Sequence, residues 1–292
     1  METGCAYNTA KRTMRIKDIP SFLKKIKKAH TKKECNIPFR VKPLYYRGQS
    51  SIDWNISPSI FRSSSSAAQE YTIINKAEVI AHSHLKDCKS SFEKLIIMQH
   101  FGLHTRLLDI TTNPLVALYF ACNQEKENDA VVYWGCREIE TPIIANLISE
   151  IVFEKDWDCF TTKYLEVYSK RLSEILKIDV SVKTLIELLS QPHCIYAPYN
   201  SPRITAQYGA FIVAPLFDKS IDEFYYKKKS WELTVKSEDI FCDRIVIDKD
   251  YKQNIMDELS EIGINEASMF PDMEHKMNYI NTLYRNNYTI DV

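Results

Sequence analysis

Three short apolar runs limit what this chain can fold into. "DAVVYWG" (129–135), "GAFIVAP" (209–215) and "RIVID" (244–248) are each too short for a helix and rich enough in branched and aromatic residues for a buried strand. Between them stand long blocks with helical spacing. Ile73, Ile74, Ala77, Ile80, Ala81, His84, Leu85 and Cys88 predict one amphipathic helix over 69–88, with His84 on its apolar stripe as a core histidine and His82 facing outward. A second helix is expected over 91–100, closed by Gly102. A third should start where Asn113 caps and Pro114 fills the first helical position. Ser21 is placed to cap a short helix from Phe22, and the stretch before it, 1–18, reads as loosely ordered. The segment 41–47 reads as a strand, 147–189 as mainly helical, and two helices close the chain, near 251–262 and after Pro271. Isolated strands among helical blocks make the class α+β.

The 292 residues carry 38 basic and 38 acidic side chains, so no global field draws the chain to nucleic acid or membrane. The charge is uneven, however: residues 11–42 hold twelve Lys or Arg against Asp18 and Glu34. That run reads either as a solvated helix face or as a contact for nucleic acid or an acidic partner. No apolar run approaches the roughly 18 residues of a membrane span, and the first twelve residues lack the apolar core of a signal peptide. The eight cysteines form no C-x-x-C pair, which fits reduced thiols in a cytoplasmic protein and predicts no metal site. Glycine-rich phosphate loops, nucleophile elbows, H-E-x-x-H and zinc-finger spacings are all missing from the sequence.

One stretch stands out, "QHFGLHTRLLDITTNPLVALYFAC" (99–122). Arg106 and Asp109 flank two leucines; extended, they would face opposite sides, and in a turn they could pair. Thr111, Thr112 and Asn113 lie just before a helix start, whose free N–H groups suit a phosphate or a ribose hydroxyl. From spacing alone two readings are open: an anion site, or a buried Arg106–Asp109 pair with threonines that only help the cap. A strand carrying "YYRGQSS" (45–51) adds a fixed positive charge, Arg47, beside Gly48.

"YYRGQ" (45–49), the 99–121 motif, "RITAQYGAFI" (203–212) and "GINEASMFPDME" (263–274) together resemble the FRG-domain family. Tyr46 stands for that family's phenylalanine and His104 for a usual proline. The resemblance divides the chain into a basic N-terminal segment, 1–40, and an FRG domain, 41–290, with a helical insertion at about 141–195. It implies a prokaryotic toxin or antiviral defence protein, with an antitoxin or regulatory protein as partner. More distantly, the order of pieces resembles the ADP-ribosyltransferase fold, a split mixed or antiparallel sheet flanked by helices. That likeness implies NAD as co-substrate. It implies cofactor contacts from Tyr46, Arg47, Gly48, Gln49, Arg106, Thr111, Thr112 and Asn113, and catalytic roles for Asp109 and Gln207. At the place of the fold's glutamate, "AQYGAFIV" offers Gln207. The expected activity is transfer of ADP-ribose to protein or nucleic acid. NAD glycohydrolysis and a non-catalytic nucleotide- or partner-binding module are the alternatives.

Overall fold

The computed structural model describes residues 15–31, 44–136, 140, 142–154, 162–197, 201–216 and 240–285. Six strands form one sheet: β1 (Tyr45–Gln49), β2 (Leu107–Thr111), β3 (Ala130–Gly135), β4 (His193–Tyr196), β5 (Gly209–Val213) and β6 (Asp243–Ile247). Their order is β4-β5-β2-β1-β3-β6 and every strand pairing is antiparallel. Among the described residues thirteen α-helices surround the sheet, so the class is α+β. They are α1 (Ile19–Thr31), α2 (Ser64–Ala68), α3 (Glu70–Ile80), α4 (His82–Leu85), α5 (Ser91–His100), α6 (Pro114–Cys122), α7 (Ile143–Glu154), α8 (Thr162–Leu176), α9 (Val182–Leu189), α10 (Pro202–Ala206), α11 (Lys252–Glu261), α12 (Glu266–Met269) and α13 (Met273–Arg285).

Successive residues of a strand face opposite sides, and the three apolar clusters follow that rule. Tyr45, Leu108, Ile110, Val131, Tyr133 and Ile212 line one face, covered by Ile56, Ile240 and Phe241. The other face carries two separate helical groups. One gathers α1, α6 and α11 over Tyr46, Val132, Trp134 and Ile245. The other gathers α5, α7, α8 and α9 over Leu107, Ile195, Phe211 and Val213.

The sheet is split between these two groups. β1 pairs β3 along its full length, from Tyr45 opposite Gly135 to Gln49 opposite Val131. Among the described residues it pairs β2 only at Tyr46 opposite Thr111. Continuing that register would set Gly48 against Asp109, yet the strands diverge first. Helix α6 lies directly on β1 at this point. A Cβ on Gly48 would sit 1.9 Å from the Ala117 carbonyl oxygen and 2.7 Å from the Ala121 nitrogen. Only glycine allows that approach.

Several expectations need correction. The segment before Asn113, open between extended chain and turn, is β2, a central strand, and 193–196 is β4, which was not foreseen. Both are short, and β2 carries Asp109 at its centre, which breaks the apolar signal. The helix expected over 69–88 breaks at Ala81 (φ −92°, ψ 14°) into α3 and α4. The break shifts the helical phase, so His84 is exposed and rests against the Phe101 ring at 5.3 Å. Helix α1 begins before Ser21: the Ser21 N–H donates to Asp18 Oδ1 at 2.7 Å, so Asp18 is the capping side chain. Residues 15–18 are tied down through a bridge from Ile16 to Ile247. Asn113 caps α6 as expected, accepting from the Leu115 N–H at 2.9 Å. Half of the twelve basic residues of the 11–42 run, those within 11–14 and 32–42, lie outside the described residues.

Candidate functional site

Because β1 and β2 part, a cleft of about 850 Å³ opens between them. Tyr46, Arg47, Gly48, Gln49, Asp109, Thr111 and Gln207 all line it. So do Gln99, Arg62, Arg203 and the rings of Trp54, Phe61, Phe120 and Phe270. Three arginines and two aspartates, Asp53 and Asp109, are in this lining, an excess of cations suited to an anion.

Arg47 fills the place of the lost ladder bonds. Its Nη1 donates 2.6 Å to the main-chain carbonyl of Asp109. Its Nε is buried and has no partner. Burial pulls the guanidinium down to about 10, while Asp109 supports its charge and Arg62 opposes it. It is therefore a cation at neutral pH with donors to spare. Two residues on, and on the same side of β1, Gln49 is 4% exposed and its Oε1 has no partner either. Its Nε2 makes one long bond, 3.4 Å, to the Asn55 carbonyl. Tyr46 is packed on the other side, where burial pushes its phenol up to about 12.

Asp109 is the exposed middle residue of β2. Gln99 Nε2 donates to its Oδ1 at 3.0 Å, and the Thr105 hydroxyl donates to Gln99 Oε1. The Leu107 N–H donates in turn to Thr105 Oγ1 at 3.1 Å. This chain fixes the Gln99 amide and holds one carboxylate oxygen of a residue that lines the cleft. Sequence reasoning missed Gln99, although it opens the dense motif. Its link to Asp109 depends on β2 passing the end of α5.

Other expected site residues are committed to structure. The Thr111 hydroxyl donates to the Gln207 carbonyl at 2.7 Å and accepts from the Asn113 N–H at 3.1 Å. Gln207 Nε2 donates to the Met269 carbonyl at 3.0 Å. Tyr208, at φ +49°, makes the turn into β5, and its carbonyl accepts the Thr112 N–H at 3.1 Å. Neither Thr112 nor Asn113 lines the cleft. Arg106 does not line it and does not pair with Asp109. It is 1% exposed and bonds Glu70 through Nε at 2.9 Å and through Nη2, while Nη1 donates to the Ala214 and Pro215 carbonyls. Arg106 lies one residue before β2 and three before Asp109, a spacing that in extended chain places the two on opposite faces.

At the cleft mouth, Arg203 stacks 4.7 Å over the Phe270 ring, and His275 lies on that ring at 4.7 Å. His100 is held below its ordinary value, first by burial and then by Arg203, with Asp272 opposing.

No curated protein and no solved structure matches the chain. The family model of the FRG domain matches residues 42–130, which span β1, the 99–122 motif and the start of β3. Over that stretch the chain is similar to the FRG domain.

Proposed function

We propose that the cleft binds NAD and that the protein breaks the bond between nicotinamide and ribose, passing ADP-ribose to a protein, a nucleic acid or water. The observation that supports this most directly is the pairing of two groups across the split. One is a guanidinium with an unused Nε edge; the other is a carboxylate oriented by Gln99. Arg47 then takes the pyrophosphate through Nε and Nη2, a bidentate grip that lysine lacks. The aromatic rings around the cleft offer stacking surfaces for the two bases.

In the reaction, the C1′–N1 bond breaks and nicotinamide leaves with the bonding electron pair as a neutral molecule. Positive charge grows on C1′ and its ring oxygen, as in glycoside cleavage. The Asp109 carboxylate stabilises that charge in a site already organised for it. The acceptor's lone pair closes on C1′, and the acceptor gives up a proton to solvent or to Asp109. Gln207 brings no charge to this step, and its amide is engaged with Met269. The acidic role therefore rests on Asp109. The toxin or defence role implied by the family belongs to the same reading, as does the basic 11–42 segment as a contact for a nucleic-acid acceptor.

The test is release of free nicotinamide from NAD by the pure protein, with and without cell extract. Label from the adenosine half appearing on protein or RNA supports transfer; free ADP-ribose supports hydrolysis. Binding of NAD with no product identifies a non-catalytic nucleotide module instead.

A further inference from the structure

The likeness that points to NAD assigns the ribose hydroxyls to Thr111 and Gln207, but both side chains already hold protein partners. Gln49 is different. Its amide oxygen is buried and accepts nothing, and the residue lines the cleft. A buried acceptor left unpaired is costly, and native proteins keep few of them. Its natural complement is a ligand O–H or N–H. The neighbouring orphan is a donor, Arg47 Nε, on the same side of the same strand. Two residues along a strand separate the two by about 6.6 Å at the main chain. A ligand that satisfies both carries an anionic acceptor and a neutral donor at roughly that spacing. A phosphate and a hydroxyl of its own ribose meet this requirement.

We propose that Arg47 and Gln49 together read a ribosyl phosphate unit, with Gln49 Oε1 accepting a ribose hydroxyl. This makes Gln49 the residue that selects ribonucleotides over deoxyribonucleotides and over bare phosphate. The inference rests on the nucleotide-binding part of the proposed function and is independent of any turnover. NAD contains two such units, one on the adenosine side and one on the nicotinamide side.

The experiment uses the full chain and follows Trp54, which stands 43% exposed at the cleft. Quenching of its fluorescence is titrated with ADP, 2′-deoxy-ADP, 3′-deoxy-ADP and nicotinamide mononucleotide, for the wild type and for Gln49→Met. The expected result is at least about tenfold weaker binding of one deoxy form than of ADP, the size of one lost hydrogen bond at a buried acceptor. Gln49→Met should erase that difference. If the nicotinamide-side ribose is the one read, nicotinamide mononucleotide loses about tenfold in Gln49→Met while ADP is unchanged. Equal binding of all forms by both proteins overturns the inference and leaves nucleotide binding standing. Binding of none of them removes both. The comparison of deoxy forms in the wild type stands even where Gln49→Met fails to fold.

Discussion

Arg47 lies on β1 and Arg106 immediately before the neighbouring β2, and they spend their donors in opposite ways. Arg106 uses Nε, Nη1 and Nη2 on Glu70 and two carbonyls, with Phe61 5.7 Å away over its guanidinium. It closes the structure between α3, β2 and the end of β5. Arg47 uses one donor on one carbonyl and keeps a buried Nε idle. A folded chain tolerates such a deficit where something else meets it. Full satisfaction marks a structural charge, and partial satisfaction beside a cleft marks a charge kept for a ligand.

Substitutions can break this contrast, and the largest effect is expected at Arg106. Arg106→Ala leaves Glu70 (1% exposed) charged and alone, at a cost of about 3–5 kcal/mol in chemical denaturation. Arg106→Lys should recover little, because an ammonium cannot replace a fork that serves two carboxylate oxygens and two carbonyls. Next comes Asp109→Asn. Nicotinamide release should fall by about 10²–10³ while the melting temperature holds, since Asp109 is exposed and its neighbours keep their bonds. A large drop in melting temperature with proportional loss of activity would mark Asp109 as structural instead. Gly48→Ala probes the split itself. Its methyl group would strike the α6 main chain, so a loss of about 1–3 kcal/mol is expected.

The smallest effect concerns pH. His100 is held below its ordinary value of 6.5 by burial and by Arg203. Below that pH the unfolded chain takes the proton first, so stability falls as the pH drops through the window beneath 6.5. The His100→Gln variant should lose less over the same range. Equal slopes for both proteins would show that His100 does not carry the dependence.

What could be read from the sequence follows from how local each signal is. Asn113-Pro114 marks a helix start whatever surrounds it, and α6 begins there. "AVVYWG" reads as β3 because all six residues are buried. At β2 extended chain and turn stayed open because Asp109 interrupts its apolar run, and that interruption is also what places a carboxylate in the cleft. Arg47 stood out by its position before a glycine. Its idle Nε, the orphan oxygen of Gln49 and the hold of Gln99 on Asp109 depend on where two strands part. No spacing along the chain encodes that divergence. Likewise, the partner of Arg106 is Glu70, 36 positions away, and not the nearby Asp109.

Calorimetric titration of NAD into the wild type and into Arg47→Ala tests the central claim most directly. The account predicts saturable binding to the wild type and a loss of at least about tenfold in Arg47→Ala, the size of one charge-assisted hydrogen bond or more. The melting temperature of the variant should hold, because Arg47 contributes a single hydrogen bond to the fold. Equal affinity for the two proteins, or loss of folding in Arg47→Ala with NAD binding absent from the wild type, would contradict it.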